Sequence, residues 1–189
     1  PDGGDFPEAS LTVRRVVTGH SGGKSAFVSD GPAPRSRDFV SIPGQSSTLV
    51  WSTPNPPAVP NNGVDPITAA STYVPPTAET RLMVVTFAPD SVMMSKDFNP
   101  AAAGAEFMAE LPDLAAKFEP DHPGMHTTDT VDYGIVLDGE LWLELDDGKE
   151  VHLKPHDVVI QNGTRHAWRN KSDKPAKVAF VLIGARRQG

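Results

Sequence analysis

The sequence predicts an all-β fold, and three observations carry that reading. Nineteen prolines and sixteen glycines stand in 189 residues, and both residue types interrupt helices rather than fill them. From residue 126 onward, short apolar runs alternate with turn dipeptides at regular spacing, the pattern of an antiparallel sandwich or barrel. Between residues 122 and 170 the chain gathers five of its six histidines, and the other segments read as support for that stretch.

The bulk composition narrows the function. Seventeen basic against 24 acidic residues give a formal charge of −7, which argues against nucleic acid or an anionic membrane as partner. No run approaches the roughly 20 apolar residues of a membrane span. With no cysteine, disulfides, thiolate metal sites and cysteine nucleophiles are excluded. Together with the lack of a basic and apolar leader, this points to a cytoplasmic protein. A metal, if held, must use imidazole and carboxylate.

In order, residues 1–9 are polar and read as a frayed terminus. Residues 11–18 (LTVRRVVT) and 25–29 (SAFVS) predict a hairpin around the turn 19–23, which places His20 in the turn. Residues 47–52 (STLVWS) predict a further strand. Residues 53–76, rich in Pro, Asn and Thr, predict an extended crossing that is either pinned to a surface or mobile. Residues 81–87 (RLMVVTF) predict a strand, opening a barrel domain over 78–186. Residues 1–77 then read as a strand arm on the barrel or on a second subunit.

Residues 99–118 change character. Phe107, Leu111, Leu114 and Phe118 fall at helical spacing. Pro112 interrupts them, so two short helices are expected, with Pro112 near the start of the second. This stripe either packs on the sheet or forms a lid. Strands are then expected at 131–137, 141–145, 150–153, 158–161, 165–169 and 177–183. Asp147-Gly148 is a strong hairpin turn, since Gly accepts positive φ. The strands 131–137 and 178–183 are apolar on both faces, which predicts a covered outer surface. The N-terminal strands and a second copy are both expected to cover it, making a homodimer.

His126, Thr128, Thr130 and Asp132 share strand parity. Six residues of strand span about 20 Å, however, too far for both ends to meet one metal at about 2 Å. The chain must fold back at Thr127–Thr130 for His126 and Asp132 to cooperate, with His166 facing the same interior.

The stretch resembles the cupin superfamily, small β-barrels with two signature segments. The first reads His-x-His, three or four residues, Glu, six residues, Gly, and is met by His126, Asp132 in the glutamate position, and Gly139. The second ends Pro-x-Gly-x-x-His-x-x-x-Asn, and is met by Gly163, His166 and Asn170. Thr128 replaces the second histidine, Gln161 the proline, and His156 a glycine.

The resemblance covers about 80–185 and implies a double-stranded β-helix, here with N-terminal extra strands and a short helical segment. It implies a divalent metal (Fe, Mn or Zn) on His126, Asp132 and His166. It further implies an enzyme of the dioxygenase, dehydratase, decarboxylase or isomerase type acting on a small organic molecule. The alternative is a non-catalytic small-molecule-binding cupin. His122 is a possible extra ligand, and Thr128 either holds a water or fills space. Trp168 is a cavity wall or a core aromatic, and Asn170 orients the site or satisfies backbone groups. His152 reads as a surface or groove residue and His156 as a turn residue.

Overall fold

The computed structural model describes residues 12–188; the expectation of a frayed 1–9 lies outside them. Among the described residues, eleven strands form three sheets. Strands β1 (Arg14–Ser21) and β2 (Lys24–Pro32) pair only with each other. A six-stranded sheet has the order β3 (Arg35–Asp38), β4 (Ser46–Thr53), β5 (Thr80–Phe87), β11 (Ala176–Gly184), β6 (Thr130–Asp138), β9 (Val158–Asn162). The third holds β10 (Ala167–Arg169), β7 (Leu141–Glu144) and β8 (Glu150–Leu153).

The two larger sheets share one core. Strand β11 lies between β5 and β6 and turns Val178, Phe180 and Leu182 inward. They meet Leu49 and Met83 from the same sheet and Leu141, Leu143 and Leu153 from the smaller one. Each fully buried Leu contributes about 1.5–3 kcal/mol. The turn between β7 and β8 is Asp146–Gly148, with Asp147 and Gly148 both at positive φ.

The two expected helices are present as α2 (Pro100–Glu110) and α3 (Pro112–Ala115), with Pro112 opening the second. Asn99 caps α2 by accepting from Ala101 N and Ala102 N at 3.1 Å each. A short helix α1 (Asp90–Met93) and the strand β3 were not anticipated. Both are short, and β3 (RSRD) offers no apolar alternation to read.

The crossing from β4 to β5 is pinned. Tyr73 N and Val74 N donate to Asp113 Oδ2 of α3 at 2.8 and 2.7 Å, and Arg81 Nε donates to Thr72 O at 2.8 Å. Buried Arg15 pairs with Asp65 and holds its carboxyl below the usual carboxylate range. Glu106 of α2 accepts from Val40 N and Ser41 N at 2.8 Å each. Thus two carboxylates, each taking two backbone N–H groups, tie the helices to the N-terminal half.

Two expectations need correction. His20 sits in β1, opposite Ser25, because the strand runs on to Ser21 and the turn shrinks to Gly22-Gly23. The N-terminal strands do not cover the barrel's outer face: Tyr133, Ile135, Val158 and Ile160 stay at least 36% exposed among the described residues. The reason is topological, since β3 and β4 extend the sheet edge beyond β5 and do not lie over β6 and β9.

Candidate functional site

The two signature histidines meet through their backbones. His126 N donates to His166 O, and His166 N to His126 O, at 3.0 Å each. This bridge holds the rings 4.2 Å apart, centre to centre. Phe118 stacks on His126 at 4.4 Å, and Trp168 meets His166 edge-on at 6.0 Å.

Each ring is oriented by a backbone carbonyl. His126 Nδ1 lies 3.1 Å from Gly124 O, and His166 Nδ1 lies 2.9 Å from Thr164 O. A carbonyl only accepts, so each Nδ1 carries the proton and each Nε2 keeps its lone pair. No protein group among the described residues bonds either Nε2. Burial lowers the pKa of both rings; that of His166 falls to about 4, with the neighbouring His126 charge adding to the effect. Both imidazoles are therefore neutral at pH 7, the state that binds metal.

The supports are local. Gly124 has φ +84, and a Cβ there would come within 2.7 Å of Arg169 Nη1, so the bend presenting His126 requires glycine. Gln161, which replaces the family proline, donates through Nε2 to Thr164 Oγ1 at 2.6 Å and to Thr164 O at 3.2 Å. It therefore braces the carbonyl that orients His166. The sequence shows Gln161 only as a departure from the pattern; its job depends on the turn that follows.

Asp132 reaches the same cavity from β6, where it is fixed in register between Gln161 and Leu182. It is 8% exposed, and its Oδ1 has no hydrogen-bond partner. Burial pushes its pKa from 3.8 up to about 6, the Thr130 hydroxyl opposing.

Two buried imidazoles with free Nε2 atoms fit a divalent cation. The expected three-ligand set does not assemble, however: among the described residues no three His, Asp or Glu side chains converge to hold a metal. The histidines are locked together outside the regular strands, whereas the ladder holds Asp132 on β6. The chain does fold back between them, because β6 begins only at Thr130.

The other anticipated residues divide. Thr128 and Trp168 line the cavity, and the Thr128 and Thr130 hydroxyls bond each other at 2.8 Å. His122 does not reach it. Beyond the Gly124 bend it is 64% exposed, paired with Glu119 at 3.1 Å, and lines a separate surface groove. Asn170 is not a site residue either. Fully buried, it donates to Phe87 O and Lys174 O and accepts from Ser172, tying β5 to the turn before β11. His152 is a surface residue bonded to Glu140, and His156 occupies a turn at φ +76.

The cavity measures about 200 Å³. Phe107, Leu111, Leu114 and Phe118 all line it, so the helical stripe is one of its walls. Gln45 and Ser47, from outside the region that carries the resemblance, line it as well.

Residues 116–183 match the cupin domain family. That stretch is a cupin domain. This cupin is 48% identical over 63 residues to phomopsin biosynthesis cluster protein C' of Diaporthe leptostromiformis. That match spans 33% of this chain and only 33% of the relative. It is 27% identical over 183 residues to the cupin-domain-containing oxidoreductase srdD of Neurospora crassa, covering 94% of this chain and 79% of that one. Among solved structures, a protein with a double-stranded β-helix domain from Klebsiella pneumoniae is 17% identical. The match covers 61% of this cupin and 76% of that chain, with a TM-score of 0.37. No helix among the described residues is long and apolar enough to cross a membrane.

Proposed function

We propose that this cupin is an enzyme, of oxidoreductase type, acting on a small and largely apolar organic molecule held in the barrel cavity. The observation that supports it most is the pair of neutral imidazoles in an apolar cavity that also holds a carboxyl with one unpartnered oxygen. The names of relatives such as the cupin-domain-containing oxidoreductase srdD agree with that class. His126 and His166 would hold a divalent metal (Fe, Mn or Zn) through their Nε2 atoms. Such an ion supplies Lewis-acid polarisation of a substrate oxygen, or redox capacity in the case of iron or manganese.

The chain's own residues do the rest. Gly124 O and Thr164 O fix the tautomers, and Phe118 holds the His126 ring by stacking. Asp132, with a pKa near neutrality, accepts or returns a proton at Oδ1. The surrounding Phe, Leu and Trp side chains exclude water and strengthen each polar contact inside. Since Asp132 stands apart from the histidine pair, its assigned role is acid–base rather than metal ligand.

Metal titration by calorimetry, on chelator-stripped protein and under nitrogen for Fe(II), tests this. Wild type should show one saturable site, His166→Ala none, and Asp132→Asn a site within about tenfold of wild type, because it keeps both imidazoles. No saturable binding of Fe(II), Mn(II) or Zn(II) to wild type would overturn the metal reading. The non-catalytic binding cupin, which the lack of a three-ligand cluster among the described residues favours, would then be the better account.

The exposed Tyr133, Ile135, Val158 and Ile160 support a homodimer across the outer face of the six-stranded sheet. Sedimentation of wild type against Ile135→Lys checks it: a dimer that becomes monomeric agrees, and a wild-type monomer does not.

A further inference from the structure

The histidines and Asp132 account for one end of the cavity. The other end is built by β4 and the residue before it. Ser47 is 2% exposed, and its Oγ has no hydrogen-bond partner. Gln45, two residues earlier on extended chain and so on the same face, uses Oε1 to accept from Ala88 N at 3.1 Å. Its amide N–H groups have no protein acceptor among the described residues and remain as donors. Both side chains line the cavity. A buried hydroxyl left unpaired costs about 1–3 kcal/mol, and buried polar groups in native proteins are as a rule paired. Ser47 in a wall otherwise made of Ile42, Met83, Val85 and Phe87 is thus a group waiting for a partner.

The register of the sheet separates the two ends. Ser47 lies opposite Val85, Val85 opposite Val178, and Val178 opposite Val136. Asp132 is four residues from Val136 on β6, roughly 13 Å of strand before twist and curl. The cavity therefore carries an unsatisfied polar group at each end, with aromatic rings between them.

We propose that Gln45 and Ser47 form a second recognition point that takes a carbonyl oxygen of the substrate. The substrate is then a slender, ring-bearing molecule with one oxygen function at the histidine end and a ketone or aldehyde at the other. The proposal rests on the reading of this cavity as the substrate site. Two donors converging from one face suit the two lone pairs of a carbonyl. None of the cavity-lining residues is Lys or Arg, so a carboxylate would be buried without a countercharge. The volume of about 200 Å³ lies below the roughly 300–1,000 Å³ of sites for drug-sized ligands, which fits one ring with a short chain.

The test compares two probes of nearly equal shape, para-hydroxybenzylacetone and para-isopentylphenol, which differ by a ketone in place of a branched methyl group. Calorimetric affinities are taken on wild type, Ser47→Ala and Gln45→Glu. The second variant keeps the acceptor used by Ala88 N while removing the donor. Wild type should favour the ketone by about tenfold, the worth of one good hydrogen bond. Either variant should lose that preference while binding the phenol as before, which also reports that the cavity is intact. Equal binding of both probes to wild type, or a preference that survives both variants, would overturn the anchor and leave the cavity reading standing. Binding of neither probe would remove the cavity reading and this proposal with it.

Discussion

Two pairs of histidines in this molecule experience opposite surroundings. His126 and His166 are buried, each ring held through Nδ1 by a backbone carbonyl. His122 and His152 lie on the surface, each paired with a carboxylate, Glu119 and Glu140. A carbonyl partner fixes the tautomer and leaves Nε2 free, and burial keeps the ring neutral. An exposed carboxylate partner uses up a ring nitrogen and leaves the other in water. One side chain thereby becomes a candidate metal ligand in the first case and a surface partner of a carboxylate in the second.

The sharpest way to break the comparison is to remove one inner ring. His166→Ala should weaken divalent-metal affinity on the order of 100-fold or more, read by calorimetry, with activity falling in parallel once a substrate is in hand. His122→Ala should leave that affinity unchanged.

Next in size is the buried carboxyl, through pH. The Asp132 pKa rises from 3.8 to about 6 on folding, so its contribution to stability is full below 3.8 and is lost as pH rises through about 6. His166 runs the other way: its pKa falls from 6.5 to about 4, so its contribution is full above 6.5 and is lost as pH drops through about 4. In the metal-free protein the two slopes oppose each other. Asp132→Asn removes the first and should raise stability near pH 8 by at most about 3 kcal/mol, with little gain near pH 4. Urea unfolding at both pH values checks this; an equal gain at both would show that the carboxyl's charge is not what burial penalises.

A smaller effect is expected at the brace. Gln161→Ala frees the Thr164 carbonyl that orients His166, and should lower metal affinity about tenfold, with the unfolding free energy changed far less. Smallest is His152→Ala, which removes a surface pair worth less than about 1 kcal/mol. It should leave metal affinity unaltered in the same titration.

The strands were legible where turn residues bounded apolar runs. Asp147-Gly148 marked the hairpin of β7 and β8, and the apolar run at 178–183 marked the strand β11. Pro112 likewise announced the break between α2 and α3. The strand β3 was not legible, because Arg35–Asp38 is polar throughout and held by its pairing with β4 rather than by a buried face. The histidine pair was legible from its spacing in the two cupin segments. The departure of Asp132 from the triad was not, because it depends on where the ladder fixes β6 relative to a bridge between two non-strand residues. Gln45 and Ser47 were missed for a related reason. Their strand joins the barrel sheet through β5, and only that pairing carries a hydroxyl from the N-terminal half into the cavity.

The most direct test is the metal content of protein purified without chelator or affinity tag, measured by elemental analysis on three samples. These are wild type, His126→Ala/His166→Ala, and His122→Ala/His152→Ala. Near-stoichiometric iron, manganese or zinc in wild type and in the outer variant, lost in the inner one, is the predicted result. Metal far below stoichiometry in all three, or metal that survives loss of the inner pair, would contradict the assignment of His126 and His166 as the metal-binding centre.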